Sequence, residues 1–214
     1  MIKRTGAYTI AFESRPVIAG WGSVVGKKEA EGPLKNYFDK SIYDSYDGCD
    51  TFEQAESMFQ GEALEKALER SKTHANEVDC VFAGDLLNQC IGSSFGLMKF
   101  GIPYLGQYGA CSTMAQSLIM AASAVESGGA KVSACVTSSH FASAERQYRF
   151  PLEYGGVRTP TAQWTVTGAG SCILKSLKKG ICVARATVGR IVDLGVSDAN
   201  NMGAAMAPAA AQTL

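Results

Sequence analysis

The chain of 214 residues lacks a long hydrophobic run and carries no net charge. Its uninterrupted apolar stretches, such as residues 118–122, fall far short of the roughly 18 residues that a membrane-spanning helix needs. Residues 5–12 are too short and too polar for the apolar part of a secretory signal. We therefore expect no transmembrane segment and a location on the cytosolic side. Because the formal charge is zero, no overall positive field would recruit nucleic acid.

Cysteine is present, but not in the spacing of a metal site or a disulfide scaffold. The seven cysteines include no Cys-x-x-Cys pair, and their odd number argues against complete pairing. Four of them lie in apolar runs and are predicted core residues, namely Cys80, Cys135, Cys172 and Cys182. The sequence therefore predicts neither a metal site nor a bound cofactor.

Charge is unevenly distributed along the chain. Fourteen of the twenty acidic residues precede position 80. Three arginines, Arg146, Arg149 and Arg158, follow with only Glu145 and Glu153 nearby. This pattern favours an anionic small molecule over a polyanion as the partner.

One cysteine stands in a distinct context, on a tight turn of small residues at 108–113, YGACST. Residues 102–107 predict a short strand, and residues 113–127, rich in Ala, Met and Leu, predict a helix. Cys111 is therefore predicted at a strand-to-helix junction. Unpaired backbone N–H groups and the helix dipole at such a point favour a thiolate and can bind an anion. The alternative is a small buried apolar side chain.

Helices and strands alternate before this turn. Thr51 and Gln54 form a capping box ahead of an amphipathic helix, whose apolar stripe comprises Phe52, Ala55, Phe59, Ala63 and Ala67. Residues 78–83 predict a buried strand, and residues 92–100 a short helix.

The alternation continues after the turn. Residues 131–137 predict another buried strand. Residues 171–177 and 181–192 predict a β-hairpin around the turn at 178–180, KKG. The small-residue stretch at 203–211 is either a linker or the start of an alanine-rich helix. Repeated strand-helix-strand units predict a mixed sheet covered by helices.

Several motifs carry a resemblance to known families. The GACS turn at a helix mouth resembles the nucleophile turn of the thiolase and ketoacyl synthase superfamily. Five segments that follow one another along nearly the whole chain resemble the stage V sporulation protein AD family: AGDLLNQ (83–89), GACST (109–113), TSSH (137–140), PTAQWTVTGAG (160–170) and NMGAAMAP (201–208). The resemblance implies an α/β, thiolase-like fold, a mixed β-sheet with helices on both faces. It also implies a role in moving dipicolinic acid into the developing spore by binding it.

The same resemblance implies a domain organisation and partners. Residues 1–178 would form the N-terminal thiolase-like half, and residues 179–214 the start of a C-terminal half that is truncated at Leu214. Superfamily enzymes draw a catalytic histidine from that later half, and Gln116 stands where the family commonly has an acidic residue. We expect a homodimer on the cytoplasmic face, peripheral to the forespore or spore inner membrane. Its partners would be other stage V sporulation membrane proteins and dipicolinic acid, with calcium as a potential companion of the ligand.

Dipicolinate is a flat ring with two carboxylates, so its site needs two cationic or N–H-rich anchors and an aromatic or apolar slot. The helix mouth at Cys111 and Ser112 is one candidate anchor. The other is a guanidinium, from Arg146, Arg149 or Arg158. The alternative for each arginine taken singly is a solvated surface residue, because exposed charge is the norm. Gln163 and Trp164 would supply an amide and a stacking face, with a core position as the alternative for Trp164.

Two further residues have a functional and a structural interpretation. His140 follows a strand end and is a candidate ligand contact. It would otherwise pair with Cys111 in an enzyme or be a hydrogen-bonded structural histidine. Asp85, beside Gly84, either lines or caps the pocket or belongs to an ordinary turn. The other histidine, His74, lies in a polar loop and is predicted to be on the surface.

Three functions therefore remain open. The first is non-catalytic binding of dipicolinate, as the resemblance implies. The second is a ketoacyl-synthase-like acyltransferase in which Cys111 is acylated. The third is a structural half-domain that acts in dimer assembly and whose cysteine is inert.

Overall fold

The computed structural model describes residues 1–145, 165–198 and 201–214. These residues contain nine strands: β1 (Ile2–Arg4), β2 (Thr9–Phe12), β3 (Val17–Gly26), β4 (Lys40–Ile42), β5 (Cys80–Gly84), β6 (Tyr104–Gly106), β7 (Val132–Ser139), β8 (Gly168–Lys175) and β9 (Arg185–Thr187). They also contain five α-helices: α1 (Lys27–Ala30), α2 (Phe52–Ser71), α3 (Ile91–Leu97), α4 (Thr113–Glu126) and α5 (Met202–Thr213). Single 3₁₀ turns join several of them.

Six of the described strands form one mixed sheet in the order β4-β3-β8-β7-β5-β6. Strands β5, β6 and β7 are parallel, whereas β8 is antiparallel to both of its neighbours, β7 and β3. Helices α2 and α3 cover one face of the sheet, and α4 covers the other. The predicted α/β architecture, a mixed sheet with helices on both faces, is confirmed.

Helix α2 begins where the sequence predicts, because the Thr51 hydroxyl accepts a hydrogen bond from the Gln54 backbone N–H at 3.2 Å. The helix lies directly on β3, a strand that the sequence analysis did not predict. A Cβ atom on Gly22 would lie 2.1 Å from the Ala63 carbonyl oxygen, and one on Gly20 would lie 2.4 Å from that of Ala67. Glycine at these two positions therefore allows the helix to approach the strand backbone.

Helix α4 packs on the opposite face of the sheet against a separate apolar cluster. Its residues Ala121, Ala122 and Val125 contact the core around Phe82 and Leu174. Of the four predicted core cysteines, Cys135 is fully buried, while Cys80, Cys172 and Cys182 are half-buried.

The predicted β-hairpin over residues 171–192 is wrong. Both edges of β8 are already paired, with β3 on one side and β7 on the other, so no free edge is left for a hairpin partner. The chain instead crosses to the N-terminal segment, where β9 pairs with β2 in a small antiparallel sheet of order β1-β2-β9.

The stretch of small residues at 203–211 is helical and belongs to α5. The Asn201 side chain caps this helix by accepting a hydrogen bond from the Ala204 N–H at 3.1 Å. Among the described residues, no helix is both long enough and apolar enough to cross a bilayer. The domain boundary at residue 178 remains a prediction.

Candidate functional site

Several predicted site residues meet at one edge of the main sheet. The carboxyl ends of β5, β6 and β7 share this edge because the three strands are parallel. Asp85 follows β5, the Cys111 turn follows β6, and His140 follows β7. Loops at the carboxyl ends of parallel strands are the usual place for ligand sites in α/β folds.

Cys111 lies between β6 and α4, as predicted, and its side chain is exposed. It is the central residue of a 3₁₀ turn, Ala110–Ser112, that leads directly into the helix. Ala110 has a φ of +47°, in the left-handed region that non-glycine residues seldom adopt. The Ser112 N–H donates to the Gly109 carbonyl at 2.9 Å, and the Thr113 N–H donates to the Ala110 carbonyl. The turn thus uses two of the N–H groups that the sequence analysis offered to an anion.

The segment before the turn is held against the end of β5. The Gln107 N–H donates to the Ala83 carbonyl at 2.8 Å. Gln107 also accepts a hydrogen bond from the Gln116 side chain at 2.8 Å, so Gln116 contacts the chain that leads to Cys111.

Asp85 is fully buried, and both of its carboxylate oxygens are occupied. Oδ1 accepts from the Leu87 N–H at 2.8 Å, and Oδ2 accepts from the Ser93 N–H at 2.7 Å and the Ser93 hydroxyl at 2.6 Å. These bonds hold the start of α3 against the end of β5. A ligand could reach this carboxylate only by displacing them.

His140 is fully buried, and both ring nitrogens are bonded. Nε2 lies 3.0 Å from the Ser45 carbonyl oxygen, and Nδ1 accepts from the Ala142 N–H at 3.1 Å. This pattern requires the neutral tautomer with its proton on Nε2. Burial lowers the pKa of His140, which stabilises the neutral ring further. The structural interpretation of His140 therefore fits its contacts, and the ring has no free nitrogen to take a proton from Cys111.

The remaining predicted residues divide into two groups. His74 is exposed and precedes β5, at the opposite edge of the sheet from the Cys111 turn. Four predicted ligand contacts and one predicted stacking residue lie outside the described residues: Arg146, Arg149, Arg158, Gln163 and Trp164.

A buried polar cluster beneath this edge was not predicted from the sequence. Glu56 and Gln60 are one turn apart on α2 and fully buried. The Gln60 side-chain N–H₂ donates to the hydroxyls of Ser93 and Ser138, at 2.8 Å each. Ser138 in turn donates to Glu56 Oε1 at 2.7 Å. Two polar residues four apart on the apolar side of a predicted helix were the signal that could have revealed this cluster.

A cavity of about 240 Å³ lies at the same edge, beyond the end of β3. The rings of Phe59 and Phe141 line it, together with side chains of both charges, Lys27, Lys28, Glu29, Glu31 and Asp44. Cys111 is not among the lining residues. Within the described ranges, no cluster of three or more His, Cys, Asp or Glu side chains is arranged to hold a metal ion.

The mixed sheet covered on both faces, with an exposed cysteine on a strained turn before a helix at its edge, is a thiolase-like fold. Solved structures with this fold include 3-oxoacyl-[acyl-carrier-protein] synthase III of Aquifex aeolicus VF5, with a TM-score of 0.51 and 15% identity over 77% of this chain and 55% of that chain. The β-ketoacyl-[acyl carrier protein] synthase III of Thermus thermophilus has a TM-score of 0.52 and 17% identity over 77% of this chain and 52% of that chain. These identities show the fold alone.

Sequence similarity shows to which family the chain belongs. The sequence model of the stage V sporulation protein AD family matches residues 6–214, and the chain belongs to this family. The stage V sporulation protein AD of Bacillus subtilis (strain 168) is 39% identical over 213 residues, which is 100% of this chain and 63% of the relative. The chain thus spans less than two thirds of that relative's length.

Proposed function

We propose that this protein binds dipicolinate, pyridine-2,6-dicarboxylate, for its uptake into the developing spore, and that it does so without catalysis. Membership of a sporulation family supports the biological setting. The observation that carries the non-catalytic part is the bonding of His140. Both of its ring nitrogens are committed to backbone groups, so Cys111 receives no base from this histidine.

Acyl transfer by Cys111 is the second candidate function. An exposed cysteine beside a left-handed Ala110 favours it, because strained turns commonly present nucleophiles. Covalent catalysis also needs a group that accepts the thiol proton. His74, the other histidine of the chain, lies at the opposite edge of the sheet. Among the described residues Cys111 therefore has no histidine as its base, and the acyl-thioester experiment below decides between the two functions.

The proposed ligand site lies at the Cys111 turn. Cys111, in this turn, is exposed, and the dipole of the 14-residue helix α4 adds a partial positive charge at the helix N-terminus. Because the turn itself uses the N–H groups of Ser112 and Thr113, a dianion needs a further cationic anchor. We propose that Arg146, Arg149 or Arg158 supplies it and that Gln163 adds an amide contact.

We also propose a homodimer that forms through the edge of the sheet near Cys111. Strand β6 is an edge strand, and edge strands present unpaired backbone groups to a partner. Exposed apolar side chains continue this edge onto the α3 region, namely Ile91, Phe95, Met98 and Leu105. A second copy would cover this apolar surface. In the cell we place the dimer at the cytoplasmic face of the forespore membrane, with other stage V membrane proteins as partners.

Two measurements on the whole protein separate binding from catalysis. Incubation with an acyl thioester followed by intact-mass analysis should give no acyl adduct. Dipicolinate binding should survive Cys111→Ser, because the proposal uses the turn and not the thiol. A thioester-dependent mass increase that is absent from Cys111→Ser but retained by Cys49→Ser would instead support the acyltransferase.

A further inference from the structure

The turn that follows β7 touches the Cys111 segment. The Glu145 N–H donates to the Leu86 carbonyl at 3.0 Å, which ties the turn to the loop after β5. The Tyr108 hydroxyl donates to Glu145 Oε1 at 3.0 Å, three residues before Cys111. The position of this turn therefore bears on the Cys111 half of the proposed ligand site.

The buried carboxylate of Glu56 is hydrogen-bonded to this turn. Glu56 Oε2 accepts a hydrogen bond from the Ser143 hydroxyl at 2.5 Å, and Oε1 accepts one from Ser138 at 2.7 Å. A hydrogen bond to an ionised carboxylate is about twice as strong as one between neutral groups. The ionised Glu56 thus links α2 both to the end of β7 and to the turn.

The direction of the neighbouring hydrogen bonds is fixed. Gln60 Nε2 lies 3.5 Å from the Gly84 carbonyl oxygen, which can only accept, so the amide nitrogen must face the two serines. Ser93 and Ser138 each accept from Gln60 and donate onward, Ser93 to Asp85 and Ser138 to Glu56. Ser138 therefore cannot turn its proton away from Glu56 without losing a bond. Protonation of Glu56 must be accommodated at Ser143.

We infer that Glu56 is a positioning residue for the proposed dipicolinate site: its ionised carboxylate fastens Ser143 and the turn beside Cys111, and its protonation loosens that turn. This inference rests on the proposed function for its consequence in ligand binding. The effect on the turn itself is independent of any ligand. A proton on Oε2 makes Glu56 the donor to Ser143, so the charge-assisted bond becomes a neutral one and the Ser143 proton loses this acceptor.

The environment of Glu56 brings its protonation near neutral pH. Burial raises the pKa of Glu56 to about 7, and the negative charges of Asp85 and Glu53 act in the same direction. Asp85 after β5 and Glu53 on its own helix are the charged groups that act on it, and the ring of His140 after β7 packs against Phe52 and Phe59 of the same helix. Burial lowers the pKa of His140, which favours its neutral form.

Hydrogen exchange on the whole protein without ligand tests the turn directly. After correction for intrinsic rates, protection of the Ala144 and Glu145 amides should fall about fivefold between pH 8 and pH 6.5, whereas protection of amides within β7, which reports global unfolding, should not fall in this direction. Glu56→Gln should remove this pH dependence. Glu69→Gln, which neutralises an exposed carboxylate near the other end of the same helix, should keep it. Ser143→Ala removes the contact without changing the charge, so protection of the turn should be low and independent of pH. This variant serves as the test if Glu56→Gln does not fold.

Dipicolinate affinity then tests the consequence for the ligand. Both ligand carboxylates are ionised throughout this range, so a severalfold tighter binding at pH 8 than at pH 6.5 would come from the protein. Glu56→Gln should flatten that profile. A protein that binds no dipicolinate but shows the exchange profile would refute the proposed function and leave the role of Glu56 standing. Protection of the turn that is equal at pH 8 and pH 6.5, or a pH dependence that persists in Glu56→Gln and Ser143→Ala, would overturn the inference.

Discussion

Gly84 and Gln107 pack so closely that a Cβ atom on Gly84 would lie 1.8 Å from the Gln107 carbonyl oxygen. The same atom would also lie 2.8 Å from the Cγ2 of Thr113, the first residue of α4. The end of β5 therefore sets the position of the chain on both sides of Cys111. Only glycine permits this approach, which explains the residue at the point where the strand meets the site.

Gly84→Ala should consequently destabilise the protein and displace the Cys111 turn. We expect a loss of about 3 kcal/mol in the free energy of unfolding, because a methyl group would have to push backbone atoms aside. Urea denaturation measures this loss. Gly170→Ala is the matched control, since a Cβ atom there meets no atom within 4 Å, and its effect should stay within about 0.5 kcal/mol. Equal stabilities for the two variants would contradict the packing argument.

Stability should also depend on pH through Glu56. Its pKa is raised from 4.5 to about 7 in the folded protein, mainly by burial. Burial outweighs the single bond to Ser143, which the proton weakens, so the folded state as a whole holds this proton more tightly than the unfolded chain. The stabilisation from it is full below about pH 4.5 and lost as the pH rises through 7. The difference in unfolding free energy between wild type and Glu56→Gln should change by about 3 kcal/mol across that window. A difference that is constant from pH 4.5 to 8 would show that Glu56 titrates normally.

Local sequence signals predicted the elements around the site well. Thr51 and Gln54 marked the start of α2, and the GACS turn marked the start of α4, because caps and turns depend on neighbouring residues. The mixed sheet followed from the alternation of strands and helices.

Tertiary pairing decided what the sequence did not reveal. The segment after residue 180 contains β-forming residues, but β8 had no free edge for it, and no local pattern reports which edges are occupied. Strand β3 went unrecognised because its glycines at 20 and 22, which seat α2, weaken the signal of a strand. The partners of Asp85 and His140 are likewise set by contacts distant in sequence, such as Ser45 with His140.

The dimer proposal predicts that Leu105→Lys separates the two copies. Leu105 is exposed on the edge strand β6, where a buried lysine would oppose pairing with a second chain. Light scattering of the whole protein at micromolar concentration should give a dimer for wild type and a monomer for the variant. Leu34→Lys, at another exposed leucine far from β6 in sequence, should remain dimeric. A wild-type protein that is monomeric under these conditions would refute the proposal.

The charge-anchor proposal predicts that alanine at Arg146, Arg149 or Arg158 weakens dipicolinate binding by about 1.5–3 kcal/mol for at least one of the three. Lys27→Ala and Lys28→Ala should change it little, because the cavity they line also holds the carboxylates of Glu29, Glu31 and Asp44. Calorimetric titration of each variant measures the differences. If only the lysine variants lose affinity, the ligand binds in the cavity at the end of β3. If none of the five loses affinity, backbone N–H groups and ring stacking supply the binding.

The most direct test of the central claim is a calorimetric comparison of two ligands on the whole protein at pH 8. Dipicolinate carries two carboxylates on its pyridine ring, and picolinate carries one. Our account predicts saturable binding of dipicolinate that Cys111→Ser preserves, with picolinate bound at least tenfold more weakly because it engages a single anchor. Saturable binding of neither ligand, or equal affinity for both, would contradict it.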